Sequence, residues 1–330
     1  MEHSDIEADD YSDSAEPLRI VLPSDVGGGR FDAVLAKLLP DYSRSRLARW
    51  IDEGKARLDG KAVSPKTRVW GGEAVEVLAE PDPADAAFAP EPVDFPVVYE
   101  DSSVLVIDKP AGLVVHPAAG NWSGTLLNGL LYRYPDLAGV PRAGIVHRLD
   151  KETSGLMVVA RNLKAQTELV RQLQARTVKR HYRAITQGLI KLDGTVDAPI
   201  GRHPRERMRM AVVPGGKQAI THYSVLARYV RHSLVECRLE TGRTHQIRVH
   251  MAHIGHALAA DPVYGGRNFP AVQAVLDAIA SLKRQALHAA KLALIHPDSG
   301  ELMSWDSPIP ADMQALIAAL EQEAADGANR

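Results

Sequence analysis

Residues 144–161 read GIVHRLDKETSGLMVVAR, and the parsing of this stretch decides the fold. The apolar run 156–160, bounded by Gly155 and the charged Arg161, has the length and composition of a buried strand. His147, Arg148 and Asp150 then lie on a loop at the edge of a core. A carboxylate near apolar walls with cations close by can be ionised yet poorly hydrated, which suits a nucleophile or base. The competing reading is a structural ion pair between Asp150 and Arg148 at a strand entry. Charge pattern alone favours that pair, because ion-pair networks outnumber active sites.

At 330 residues, 45% hydrophobic and 24% charged, the chain can bury a full core and is expected to divide into two domains. The single Cys237 excludes an intramolecular disulfide framework and fits a reducing compartment. No apolar run approaches a membrane span, and residues 1–17 are acidic where a signal peptide is basic and then apolar. A bacterial-type cytoplasm is the expected setting, with no membrane partner.

The formal charge of −2 conceals an asymmetry. Residues 1–17 hold seven acids and no Lys or Arg, so removing them leaves +5 on the remainder. This segment is expected to be a disordered acidic tail.

Residues 18–80 form a unit of their own. Helical spacing covers 31–39, and Ser43 is placed to cap a helix over 44–51 that carries Arg44, Arg46 and Arg49. Short strands are expected at 56–58, 62–63 and 74–78, with a turn at Asp59-Gly60. Residues 30–70 contain ten Lys or Arg against five Asp or Glu, gathered about one helix. The pattern RFDAVLAKLLPDYSRSRLARWIDEGKARLDGKAV, 30–63, resembles the S4-like (alpha-L) RNA-binding domain. Such a face would track phosphates and position the RNA without reading its sequence. Pro81, Pro83, Pro90 and Pro92 mark a proline-rich linker over 81–95.

The second domain, 96–318, is expected to open with strand 97–108, turn at Lys109-Pro110-Ala111-Gly112 and continue as strand 113–116. Helices are expected over 126–134, 164–176 and 270–282, with strands at 179–187, 234–239 and 291–296. Residues 208–213 and 218–230 read as a hairpin about Pro214-Gly215-Gly216, and Arg202, Arg205, Arg207 and Arg209 form a basic rim before it. In the 239–266 stretch, LETGRTHQIRVHMAHIGHALAADPVYGG, Thr244 is expected to cap a helix. Residues 319–330 are expected to be a second weak, acidic tail. The histidines at 245, 250, 253 and 256 invite a metal reading, which fails because there is no second Cys and no HExxH arrangement.

HRLD followed by x-x-T-S-G-L, with KPAGLVVHP at 109–117 and the 239–266 stretch, resembles the RluA group of RNA pseudouridine synthases over residues 18–317. An aspartic-protease reading fails, because Asp150 is followed by Lys151 and Glu152 and not by Thr-Gly or Ser-Gly. The resemblance implies an α+β fold: a small α/β S4-like domain, then a catalytic domain with a mixed, mainly antiparallel sheet. It implies Asp150 as the catalytic carboxylate, Arg248 as its bidentate partner, and Tyr182 stacked on the target uracil. It also implies that Arg148 fills the gap left by a flipped base. His147, Arg243, Arg202 and Arg205 join Arg148 and the 44–49 arginines as candidate RNA contacts.

No cofactor or metal is implied. The implied substrate is large-subunit (23S) ribosomal RNA, in helix 69, met as rRNA or as a pre-50S particle by a monomer. Alternatives are a synthase acting on tRNA or another rRNA site, and a non-catalytic ribosome-assembly factor.

Overall fold

The computed structural model describes residues 17–79, 87–118, 120–206, 209–265 and 271–328. The acidic N-terminal segment, residues 81–86 and Arg207 lie outside the described residues. The chain falls into two compact units, one within 1–82 and one within 83–330.

In the first unit, helices Phe31–Leu38 and Arg44–Asp52 pack on a three-stranded antiparallel sheet ordered Leu18–Val21, Ala74–Val77, Ala56–Leu58. Ser43 Oγ accepts the Arg46 N–H at 3.3 Å, the expected cap. Phe31, Leu35, Leu47, Trp50 and Ile51 bury the apolar stripes of both helices against Val69, Val75 and Val77. Residues 62–63 form no strand; Lys61 makes one bridge back to Leu58 because the turn at Asp59-Gly60 is too tight to carry pairing further.

The second unit is built on a nine-stranded sheet. Its spatial order is Gly194–Asp197, Ile220–Arg228, His232–Leu239, Lys179–Gln187, Leu287–Ile295, Ser154–Ala160, Val104–Lys109, Val97–Glu100. Leu302–Asp306 also pairs with Leu287–Ile295. Every pairing is antiparallel except Ser154–Ala160 with Leu287–Ile295. The fold is therefore α+β with a mixed, mainly antiparallel sheet. The 154–160 run is buried at all seven positions, as its unbroken apolarity requires. Gly155 permits the parallel pairing, since a Cβ there would stand 2.3 Å from the Ala289 carbonyl oxygen.

Several local expectations change. Residues 113–116 are a loop, with the Val114 carbonyl accepting the Leu126 N–H at the head of helix Leu126–Arg133. Met210–Val212 pairs with Ile200–Arg202 and not with 218–230, because the Gly215-Gly216 turn returns the chain onto Ile200, which exchanges two hydrogen bonds with Lys217. Residues 87–95 pack on this unit: Asn128 Nδ2 donates to the Ala87 and Ala89 carbonyls, and Phe95 is buried in the core. The C-terminal segment expected as a tail is part of helix Ala311–Ala328, which buries Met313, Leu316 and Leu320 beside helix Gln273–Leu282. An apolar stripe spaced three to four residues apart outweighs its acidic composition. No helix among the described residues is long and apolar enough to cross a membrane.

Candidate active site

The loop carrying Asp150 is fixed at nearly every residue. His147 Nε2 accepts the Val158 N–H at 3.1 Å, so the loop is closed onto its own strand. Lys109, fully buried, donates from Nζ to the carbonyls of Pro110, Leu113 and Lys151 at 2.7–2.9 Å. Burial pushes this lysine down to about 7. Arg284 donates to the Glu152 carbonyl, and Gln285 Nε2 to Thr153 Oγ1 at 3.0 Å. Asp150 itself is left facing a cavity of about 870 Å³, a volume suited to a nucleotide.

Arg248 arrives from helix Gln246–His253. Its Nη1 donates to Asp150 Oδ2 at 3.2 Å, while Nε and Nη2 close a fork on Asp261 at 2.8 and 2.9 Å. The bidentate partner expected for Asp150 is thus given to Asp261, and Asp150 receives one bond. Asp261 holds the fork because its side chain is wholly buried and Oδ1 also accepts the Val263 and Tyr264 N–H groups. Burial alone would raise the Asp261 carboxyl, but these bonds keep it below the ordinary carboxylate value.

Helix Gln246–His253 starts differently from expectation. Thr244 does not cap it; His245 is the N-cap, in the left-handed region at φ 57°, without a capping side-chain bond. Such a backbone costs of order 1 kcal/mol or more in a residue other than glycine. It places the imidazole between Asp150 and Tyr264, with Nε2 4.0 Å from Asp150 Oδ1 and Nδ1 2.8 Å from Tyr264 Oη. Tyr264 Oη also accepts the Met210 N–H at 2.9 Å, so one phenol joins the His245 ring to the 210–212 strand. Burial outweighs the Asp150 charge and lowers the His245 pKa, keeping the ring neutral at pH 7. The four histidines are dispersed: His250 is buried against Thr221 and Ala198, His253 is exposed, and His256 meets the Gln187 carbonyl.

Tyr182 lies in strand Lys179–Gln187, 5% exposed, and lines the cavity with Asp150. Burial pushes its phenol up, so it is neutral. Arg148 is exposed at the cavity and forms no ion pair with Asp150, which removes the structural-pair reading. His147 lines the cavity but is engaged with Val158, and burial lowers it to about 3. Arg243 is exposed at the rim with Nε on the Gln218 carbonyl.

Arg202 and Arg205 are exposed, at and beyond the end of strand Ile200–Arg202, and do not line the cavity. Arg44 and Arg46, in the first unit, are already engaged there. Arg44 and Arg30 bind Asp32, and Arg46 lies between the Tyr42 and Trp50 rings at 5.0 and 4.9 Å. Arg49 lies on the same helix.

Sequence reasoning missed Asp261, Lys109, His245 and Tyr264. Asp261 had a signal: a lone acid after the apolar run Ala257–Ala260 must find a partner if buried.

A family model described as RNA pseudouridylate synthase matches residues 103–253, and an S4 domain model matches 29–75. Ribosomal large subunit pseudouridine synthase D of Neisseria meningitidis serogroup B is 56% identical over 96% of this chain and 87% of its own length. The protein of the same name from Pseudomonas aeruginosa is 53% identical over 92% and 95%. Human RNA pseudouridylate synthase domain containing 4 has a TM-score of 0.55 at 25% identity, covering 68% of this chain and 93% of that one. With an S4 domain ahead of the synthase sheet and relatives of this identity along nearly its whole length, the chain belongs to the RNA pseudouridine synthase family.

Proposed function

We propose that this protein isomerises uridines in large-subunit ribosomal RNA, in helix 69, with Asp150 as nucleophile or base. The observation that carries the reading is Asp150, tethered by Arg248 and open to a cavity that also presents Tyr182 and exposed arginines. The names of the relatives above supply the RNA class.

The reaction breaks the bond from uracil N1 to ribose C1′, turns the base and joins C5 to C1′. C5 loses a proton and N1 gains one, so the balance requires no cofactor or metal. The carboxylate either attacks the sugar or base, or removes the 2′ proton so that a glycal forms. Both routes use Asp150 as its carboxylate, and Arg248 Nη1 donates to Oδ2 and holds its direction. The base must leave its stack at a cost of a few kcal/mol. Stacking on Tyr182, worth ~1–3 kcal/mol, offsets much of that. The exposed Arg148 is free to occupy the space the base leaves. The enzyme acts as a cytoplasmic monomer on rRNA or the pre-50S particle, with the S4 unit and Arg202, Arg205 and Arg243 as phosphate contacts.

The test is pseudouridine mapping in total RNA from a strain lacking the gene. Loss in helix 69 supports the proposal. Loss at another rRNA site or in tRNA relocates the target, and no loss assigns the basic surfaces to an assembly factor.

A further inference from the structure

One buried cation at the cavity has no side-chain partner among the described residues. Arg180 lies two residues before Tyr182 on strand Lys179–Gln187, is 8% exposed and lines the cavity. Among the described residues its side chain makes no hydrogen bond or ion pair, and its Nε is buried without an acceptor. The two other arginines buried among the described residues each hold a carboxylate, Arg248 on Asp261 and Arg284 on Asp312. Burying a guanidinium without a counter-charge is costly, so its retention needs another cause.

Two features point to an anion. Six arginines line the cavity against two carboxylates, Asp150 and Glu240. Gly242 makes room for the guanidinium: a Cβ there would stand 2.8 Å from Arg180 Nη1, so the fork lies over bare backbone at the cavity wall. Gly242 has no positive φ, so the lack of a side chain, and not backbone freedom, is what the position uses.

We propose that Arg180 binds a backbone phosphodiester of RNA beside the target nucleotide, the phosphate supplying the counter-charge that no carboxylate among the described residues provides. The proposal rests on the reading of Asp150 and Tyr182 given above. A planar guanidinium fork matches two phosphate oxygens. Residues two apart on a strand are roughly 6.6 Å apart, about the span from a nucleobase to its own phosphate, so a base on Tyr182 brings a phosphate to Arg180.

The experiment measures binding and single-turnover rate on a substrate stem-loop in which each phosphate flanking the target uridine is replaced, one at a time, by a neutral methylphosphonate. One replacement is expected to weaken wild-type binding about tenfold. Arg180→Gln should bind unmodified RNA weaker by the same factor, be indifferent to that one replacement, and lose about 0.7 to 0.9 from the slope of log affinity against log salt. Gly242→Ala, which keeps the charge but displaces Nη1, should show a smaller loss at the same phosphate.

Because an unpartnered buried cation opposes folding, Arg180→Gln should melt at or above the wild-type temperature; a structural role would lower it. If no replacement is one to which Arg180→Gln is indifferent, the proposal is overturned while the activity stands. Unchanged affinity with a shifted pH profile would assign Arg180 to the ionisation of Asp150 and also overturn it. A wild-type protein that forms no pseudouridine in any RNA overturns both readings.

Discussion

Arg248 divides its guanidinium unequally between two carboxylates, giving two N–H groups to Asp261 and one to Asp150. Asp261 therefore acts as the anchor and Asp150 as the tethered group. One oxygen of Asp150 is held by Arg248 at 3.2 Å, and the other faces His245 Nε2 at 4.0 Å. The arrangement fixes the direction of the carboxylate while leaving its second oxygen loosely held.

This division makes stability and activity separable at Asp150. In Asp150→Asn the guanidinium keeps its fork on Asp261, so no charge is left buried and unpaired. The unfolding free energy should stay within ~1 kcal/mol of wild type. Pseudouridine formation should fall by at least ~10⁴-fold. Measurable turnover by the purified variant would end the proposed mechanism, and a large loss of stability would mean that the fork on Asp261 does not stand alone.

Asp261→Asn should behave in the opposite way. Oδ1 accepts from Arg248 Nη2 and from the Val263 and Tyr264 N–H groups, and Oδ2 accepts from Arg248 Nε. An amide of the same shape must aim its NH₂ at one of these donors whichever way it is turned. Stability should drop by ~3 kcal/mol, and the rate should drop as Arg248 loses its anchor. Urea melts and single-turnover rates check both; an Asp261→Asn protein as stable as wild type would show that the fork is dispensable.

The parts of this site that were legible in the sequence are those that short-range pattern encodes. The strand at 154–160 announced itself by unbroken apolarity, which placed Asp150 at a strand mouth. Ser43 read correctly as a cap because capping is a contact three residues long. Asp261, Lys109 and Tyr264 were only partly legible because each also bonds a residue distant in sequence, 13, 42 and 54 positions away, in Arg248, Lys151 and Met210. His245 was hidden for another reason: a left-handed N-cap is uncommon for any residue other than glycine, even for histidine, and Thr244 beside it is the better capping residue by type. The end of the C-terminal helix is hidden because its acidic composition masks the three-to-four-residue spacing of Met313, Leu316 and Leu320.

His147 gives a pH prediction with a definite sign. Its ordinary value is 6.5; burial, with the charge of Arg180 nearby, pushes it down to about 3 in the folded protein. Between those values the unfolded chain binds a proton that the folded chain does not. The contribution of His147 is therefore complete above pH 6.5 and is lost as pH falls toward 3, by up to ~1.4 kcal/mol per pH unit. His147→Gln can still accept the Val158 N–H but cannot titrate. The stability of wild type relative to this variant should fall by ~1 kcal/mol between pH 6 and pH 5, read from urea midpoints. A constant difference would mean that the imidazole is hydrated in the folded state.

The last prediction separates the two arginines nearest Asp150. Arg248→Lys replaces a planar three-bond fork by an ammonium that cannot span Asp261 and Asp150 together, so Asp150 loses its orientation on any substrate. Arg148 is exposed at the cavity and unpaired with Asp150, so Arg148→Ala leaves the carboxylate and its tether in place. If Arg148 occupies the space of a flipped base, its loss matters where a base must be extracted from a stack, a step worth a few kcal/mol. Arg148→Ala should then slow a structured stem-loop by ~10²-fold or more while barely affecting an unstructured oligonucleotide, whose target base is already unstacked. Arg248→Lys should slow both alike. The measurement is single-turnover pseudouridine formation by each variant on each RNA. Equal losses for Arg148→Ala on the two substrates would remove it from base extraction and leave it as one more phosphate contact at the rim.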